Sequence, residues 1–62
     1  MPKMTAEQAR EVLREIERDN KSPKRRKAIA AFFATNIAGK LSPEAVAVYA
    51  EYARRVRALR GV

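Results

Sequence analysis

The sequence predicts an all-α protein: a compact three-helix bundle with helices at about 5–20, 23–38 and 43–60, expected to be homodimeric. Each of the three segments opens with a helix-start signal, at Thr5, at Ser22-Pro23 and at Ser42-Pro43. Within each segment the apolar residues recur at the three- and four-residue spacing of a helix. The connections, near Asn20-Lys21 and Gly39-Leu41, are short, which forces neighbouring helices to run antiparallel. No internal repeat divides the chain, so residues 1–62 read as one domain.

The first helix follows Thr5, whose hydroxyl can accept from the Gln8 amide while the Gln8 side chain reaches back. Ala9, Val12, Leu13 and Ile16 form one apolar stripe, and the helix is expected to end near Asn20. Glu7, Glu11 and Glu15 each stand three residues before an arginine (Arg10, Arg14, Arg18), a pairing worth a few tenths of a kcal/mol on a helix surface.

For the second helix, Ser22 is a good N-cap, and Pro23 has its φ preset and no amide to satisfy. Beyond Lys27 the segment is apolar nearly all round. Ile29, Phe32, Phe33 and Ile37 form a bulky face, and Ala31, Ala34 and Ala38 a thin one. Such a helix is expected to be buried, with both phenylalanines in the core and Gly39 supplying the left-handed C-terminal residue. Asn36 falls on the bulky face, where it is expected to bond a carbonyl at the helix end or to set register in an interface.

The third helix has the same cap logic, with Glu44 favourably placed in its first turn and Gly61 as its stop. Ala45, Tyr49, Tyr52, Val56 and Leu59 alternate spacings of four and three, a seam for a helix of this chain or of a second copy.

Composition narrows the function. The chain has no Cys and no His, which removes disulfides and the usual zinc ligands, so no cofactor or metal is expected. A domain this small buries only about 60% of the surface its unfolded chain exposes. With alanine so frequent among the apolar residues, oligomerisation is the remaining support, hence the expected homodimer. The longest apolar-dominated run, Ala28 to Ala38, is far short of the roughly 20 residues of a membrane span. No hydrophobic signal stretch opens the sequence, so a cytoplasmic protein without a membrane partner is expected. Arginine outnumbers lysine, and Asn and Gln are few, which fits a thermophile. Thr5, Ser22 and Ser42 serve as caps, and no histidine is present to act as a base. Neither an enzyme nor a small-molecule substrate is therefore expected.

Charge is the strongest functional signal. Residues 1–19 carry a net charge of −1 and residues 20–62 a net of +8. If the second and third helices are antiparallel, the Lys24–Lys27 run and the Arg54, Arg55, Arg57, Arg60 group share one pole, joined by Arg18 and Lys21. Only Glu17 and Asp19 stand there as anions. Cations in the first turn of a helix face the positive end of its dipole, at about 0.3–1 kcal/mol each. Either the two carboxylates neutralise them across the short loop or an anionic partner does.

Ser22-Pro23-Lys24-Arg25 resembles the Ser-Pro-Lys-Lys/Arg elements of histone tails, which associate with the DNA minor groove, although the cap signal alone accounts for Ser22 and Pro23. Lys24–Lys27 also matches a short nuclear-import pattern. Ile37-Ala38, Leu41-Ser42 and Ala45-Val46 resemble the turn of a helix-turn-helix, but the span from Leu41 is about two residues short of that motif. Its recognition helix would also open on Glu44, where donors are wanted.

The expected function is therefore phosphate-directed nucleic-acid binding with little base specificity, architectural or regulatory. Duplex DNA is the first expected partner and RNA the second. The expected contacts are Lys21, Lys24, Arg25, Arg26, Lys27, Arg54, Arg55, Arg57 and Arg60. The alternative is a helical protein–protein interaction module, or a small subunit of a larger assembly, docking through the alanine face of the second helix or the tyrosine seam of the third.

Overall fold

The structure, a computed structural model, describes residues 2–60, without the side chains of residues 57–60. Among the described residues three helices are present: α1 (Ala6–Asp19), α2 (Pro23–Ala34) and α3 (Pro43–Arg60). The expected stop at Gly61 lies outside the described residues, as does the side chain of the seam position Leu59.

All three starts follow their cap signals. Thr5 forms a reciprocal capping box with Gln8, the Thr5 hydroxyl accepting from the Gln8 amide at 3.1 Å and the Thr5 amide donating to Gln8 Oε1 at 3.0 Å. The Ser42 hydroxyl accepts from the Ala45 amide at 3.1 Å. The Ser22 bond to the Arg25 amide is longer, at 3.4 Å, so α2 has the weakest of the three caps.

The topology follows from contacts at the two ends. At one end the Met4 amide donates to the Lys40 carbonyl at 2.8 Å, and the Ser42 amide to the Met4 carbonyl at 3.0 Å. This single parallel bridge between Met4 and Leu41 fastens the entries of α1 and α3 side by side. At the far end the Tyr52 hydroxyl donates to Glu17 Oε2 at 3.5 Å. Helices α1 and α3 therefore run in the same direction and α2 runs against both. Because α1 has 14 residues and α3 has 18, α3 overruns α1 by about one turn.

The core is small. Ala9, Leu13 and Ile16 of α1, Ala30 of α2, and Ala45, Tyr49 and Val56 of α3 are buried. The alanines bring the helix backbones close, and Tyr49, fully buried, fills the centre. Its ring meets Phe33 edge-on at 5.1 Å, a favoured aromatic geometry, and its hydroxyl donates to Met4 Sδ at 3.3 Å. The apolar stripe of α1 is thus buried as its spacing predicts, except that Val12 is only half-buried.

The second helix departs from expectation in two ways. It stops at Ala34, four residues before the predicted end at 38. The Thr35 hydroxyl donates to the Phe32 carbonyl at 2.6 Å, and Asn36 turns left-handed at φ +52°. The Asn36 side chain then brackets Leu41, accepting from its amide at 3.0 Å and donating to its carbonyl at 3.2 Å. Two backbone hydrogen bonds from an asparagine tolerant of φ > 0 outweigh the helical propensity of Ile37-Ala38. Gly39, at φ +68°, is a turn residue within the loop rather than the terminus of α2.

Nor is α2 a buried helix. Ala30 alone is fully covered, Phe33 is half-buried, Phe32 is 60% exposed and Ile37 is 78% exposed. Apolar residues all round imply burial only where neighbours stand on every side. Here α1 and α3 lie on one side, and among the described residues nothing covers the other. The tyrosine seam, by contrast, is used inside the chain, with Tyr49 buried and Tyr52 half-buried.

No helix among the described residues is long and apolar enough to cross a membrane.

Candidate nucleic-acid interface

The antiparallel return of α3 against α2 brings the entry of α2 beside the far part of α3. Pro23 and Arg26 of α2 line one cleft together with Tyr52, Arg55 and Val56 of α3. Lys21 lies on the connecting loop, and Lys24 and Arg25 on the first turn of α2, all exposed. Lys27 is half-buried, and Arg54 and Arg55 are exposed on α3. Arg57 and Arg60 have side chains outside the described residues.

The cations of this pole differ in what they do. Arg26 is committed to the fold. Its Nη2 donates to the Glu17 carbonyl at 3.1 Å and its Nε donates to the Asn20 carbonyl. The former is one of the last-turn carbonyls of α1, which have no partner within their own helix and carry the negative end of its dipole. The Asn20 amide and side-chain Nδ2 both donate to the Ile16 carbonyl, at 2.9 and 3.1 Å, so the whole α1–α2 connection is tied down. Lys21, Lys24, Arg25, Lys27, Arg54 and Arg55 make no side-chain hydrogen bond or ion pair among the described residues.

The two local carboxylates do not neutralise the α2 cluster. Asp19 pairs with its neighbour Arg18 at 3.3 Å, with both side chains well exposed. Glu17 accepts from Tyr52. Burial raises the Tyr52 phenol above its ordinary range, and the Glu17 charge and hydrogen bond add to that, while Arg26 opposes it. Burial alone raises the Tyr49 phenol.

The predicted glutamate–arginine ladder on α1 does not form. Among the described residues the single ion pair is Arg18–Asp19, and Arg10 and Arg14 instead form one wall of the cleft. The cleft has a volume of about 510 Å³, and the apolar Leu13, Pro23 and Val56 line it together with Arg26, Tyr52 and Arg55. Four arginines and one carboxylate, Glu17, thus share the lining of the cleft. Arg10 and Arg14 are absent from the contacts expected from sequence. Their signal was legible: Arg10, Leu13, Arg14 and Glu17 occupy i, i+3, i+4 and i+7, a stripe that includes one core residue and so borders the helix interface.

A shallower depression on the outer side of the pole is lined by Ser22, Lys24, Arg25 and Ala28. The pole therefore presents two surfaces, a shallow open one on the first turn of α2 and a deeper cleft walled by α1 and α3 with Pro23 and Arg26 of α2 at its edge.

No protein-family model matches the chain. No curated protein and no solved structure matches it either.

Proposed function

We propose that this protein binds nucleic acid through phosphate contacts at the pole where α2 begins and α3 ends, with duplex DNA as first partner and RNA as second. The observation that carries this reading is the concentration of unpaired cations. Lys24, Arg25, Lys27, Arg54 and Arg55 gather at one end of the bundle, and among the described residues none has a carboxylate within ion-pair reach. Rigid helices hold these charges in place, which suits the regular charge of a duplex. Binding by counterion release gives an affinity that falls steeply with salt and discriminates little between bases. Arg26 contributes charge but is held to the carbonyls of Glu17 and Asn20, so it acts mainly as a positioning residue. Arg57 and Arg60 extend the same reading by their sequence position alone.

The homodimer belongs to this proposal. Tyr49 and Tyr52 are occupied within the chain, so a second copy is left the outer face of α2, where Ala28, Ala31 and Phe32 are exposed and Ile37 follows. Antiparallel pairing of two α2 helices sets the Lys24–Arg25 end of each copy over the apolar Ile37 end of the other and keeps like charges apart. That face also favours a second reading, a helical interaction module, in which the apolar surface is the functional one.

The discriminating experiment is binding of duplex DNA and RNA across a salt series, with mass in solution measured alongside. Tight binding at low salt with a steep logarithmic slope is expected. Absence of binding at low salt, with a partner protein captured through Phe32 instead, would establish the interaction module.

A further inference from the structure

We propose that the cleft between α1 and α3 holds one unstacked nucleotide of a single strand, with the phosphate on Arg10, Arg14 and Arg55 and the base against Tyr52 and the apolar lining of the cleft. This rests on the nucleic-acid reading and assigns it a second subsite, sharing Arg55 with the outer surface, whose base-binding part duplex DNA does not occupy.

The composition of the cleft argues for it. Arg10, Arg14 and Arg55 make no hydrogen bond or ion pair among the described residues, so each offers a free planar fork of donors. Such forks match phosphate oxygens in pairs. A phosphate alone, however, has no use for an apolar lining, and here Leu13, Pro23 and Val56 share the cleft with the arginines. A ligand that satisfies both is a phosphate joined to a flat, weakly polar body, which describes a nucleotide. Tyr52 gives the base an aromatic neighbour, half-exposed and held in place by its hydroxyl on Glu17. A base–aromatic stack is tolerant of sequence.

Size and shape agree. A volume of about 510 Å³ lies within the usual range for pockets that take one small ligand. The site is concave, and α1 and α3 wall it on two sides. The phosphates of an intact duplex lie on a convex rod with the bases stacked inside, so a duplex cannot offer a base to this cleft without flipping it out. The outer surface at Lys24 and Arg25 has no such restriction.

Two variants of equal charge separate the subsites: Arg10→Gln with Arg14→Gln in the cleft, and Lys24→Gln with Arg25→Gln outside it. All four side chains are exposed, so both variants keep the helical fold, which far-ultraviolet circular dichroism verifies. The probes are oligo(dT), oligo(rU) and a blunt duplex of the same length at about 0.1 M salt. Loss of the one phosphate contact in the cleft predicts a fall of roughly 5-fold for the strands in the cleft variant. The duplex should lose more in the outer variant than in the cleft variant. With Tyr49→Phe, Tyr52 becomes the sole strong emitter in a chain without tryptophan, and saturation with oligo(dT) should quench it while the duplex does not.

If the cleft and outer variants weaken strands and duplex equally and Tyr52 emission stays unchanged, the cleft subsite is overturned while phosphate binding at the pole stands. If neither strands nor duplex binds at low salt, the nucleic-acid reading fails and the subsite with it. A preference for oligo(rU) over oligo(dT) supports the subsite and assigns it to RNA.

Discussion

Arg26 and its neighbours Lys24 and Arg25 look equivalent in the sequence, yet the structure gives them opposite effects on stability. Changing Arg26 to Gln removes two hydrogen bonds from a charged donor to the carbonyls of Glu17 and Asn20. Hydrogen bonds to charged groups contribute about 1.5–3 kcal/mol each when sheltered. One of these is exposed and the other half-buried, so about 1–3 kcal/mol in total is appropriate. Relief of the unfavourable dipole interaction at the start of α2 returns only about 0.3–1 kcal/mol. The net is a loss, and in a domain of this size each 1 kcal/mol moves the melting temperature by roughly 4–8 °C. Arg26→Gln should therefore melt several degrees below the parent. Lys24→Gln and Arg25→Gln break no contact and collect only the dipole relief, so they should melt at the parent temperature or slightly above. Arg26→Lys keeps the charge but lacks the fork that spans two carbonyls, and should recover less than half of the loss. The assay is thermal and urea unfolding followed by circular dichroism at low ionic strength. Arg26→Gln moving in the same direction as Lys24→Gln would refute the capping role.

Three further substitutions or conditions test the fold. Asn36→Ala should cost about 2–3 kcal/mol, because it removes both bonds to Leu41 and leaves a Cβ residue at φ +52°, whereas Asn36→Gly should regain about 1 kcal/mol of that in urea unfolding. Phe33→Ala should destabilise by about 2–3 kcal/mol through its lost packing on Tyr49, while the exposed Phe32→Ala should cost less than about 1 kcal/mol; if the homodimer forms on this face, the Phe32 variant sediments as a monomer. Raising the pH through and above 10 should lower stability: Tyr49 and Tyr52 have raised phenol pKa values, so the unfolded chain releases its protons first. Lysines titrate nearby, so the measurement is the part of that decline which disappears in Tyr49→Phe and Tyr52→Phe unfolding curves.

The helix starts were legible because each rests on a short-range bond that the sequence spells out, as in the Thr5–Gln8 box. The inward face of α1 was legible because its stripe is amphipathic. The end and the burial of α2 were not. The early stop depends on Asn36 reaching Leu41 across a loop, a contact whose value appears only when both residues are in place. The exposure of Phe32 depends on how many helices stand beside α2, with α1 and α3 the neighbours among the described residues, which periodicity within one segment does not report. At the pole, the proximity of the α2 entry to Arg55 followed from topology. The separate duty of Arg26 did not, because Lys24–Lys27 differ in helical phase and only the phase facing α1 meets its carbonyls. Arg10 and Arg14 were missed for a related reason: a glutamate three residues earlier suggests an ion pair, and the neighbouring cleft competes for the same side chains.

The direction of the helices also explains how the bundle tolerates so much like charge at one end with only Glu17 and Asp19 as side-chain anions there. Because Met4 and Leu41 fix the entries of α1 and α3 together, both helices leave their C-termini at the basic pole, while only α2 begins there. Each C-terminus carries the equivalent of about −0.5 charge and the single N-terminus about +0.5, so the backbone itself presents a net negative field to the cations. Arg26 draws on that field directly through the Glu17 carbonyl of α1, and Arg54 and Arg55 stand in the second half of α3, closer to its negative end than to its positive one. An antiparallel α1 and α3 would have reversed one of those contributions and required side-chain carboxylates to compensate. Such carboxylates would pair with the lysines and arginines and withdraw them from any outside anion. Stabilisation by backbone dipoles leaves the side-chain donors free, so the arrangement that makes the charge tolerable also keeps it available for binding.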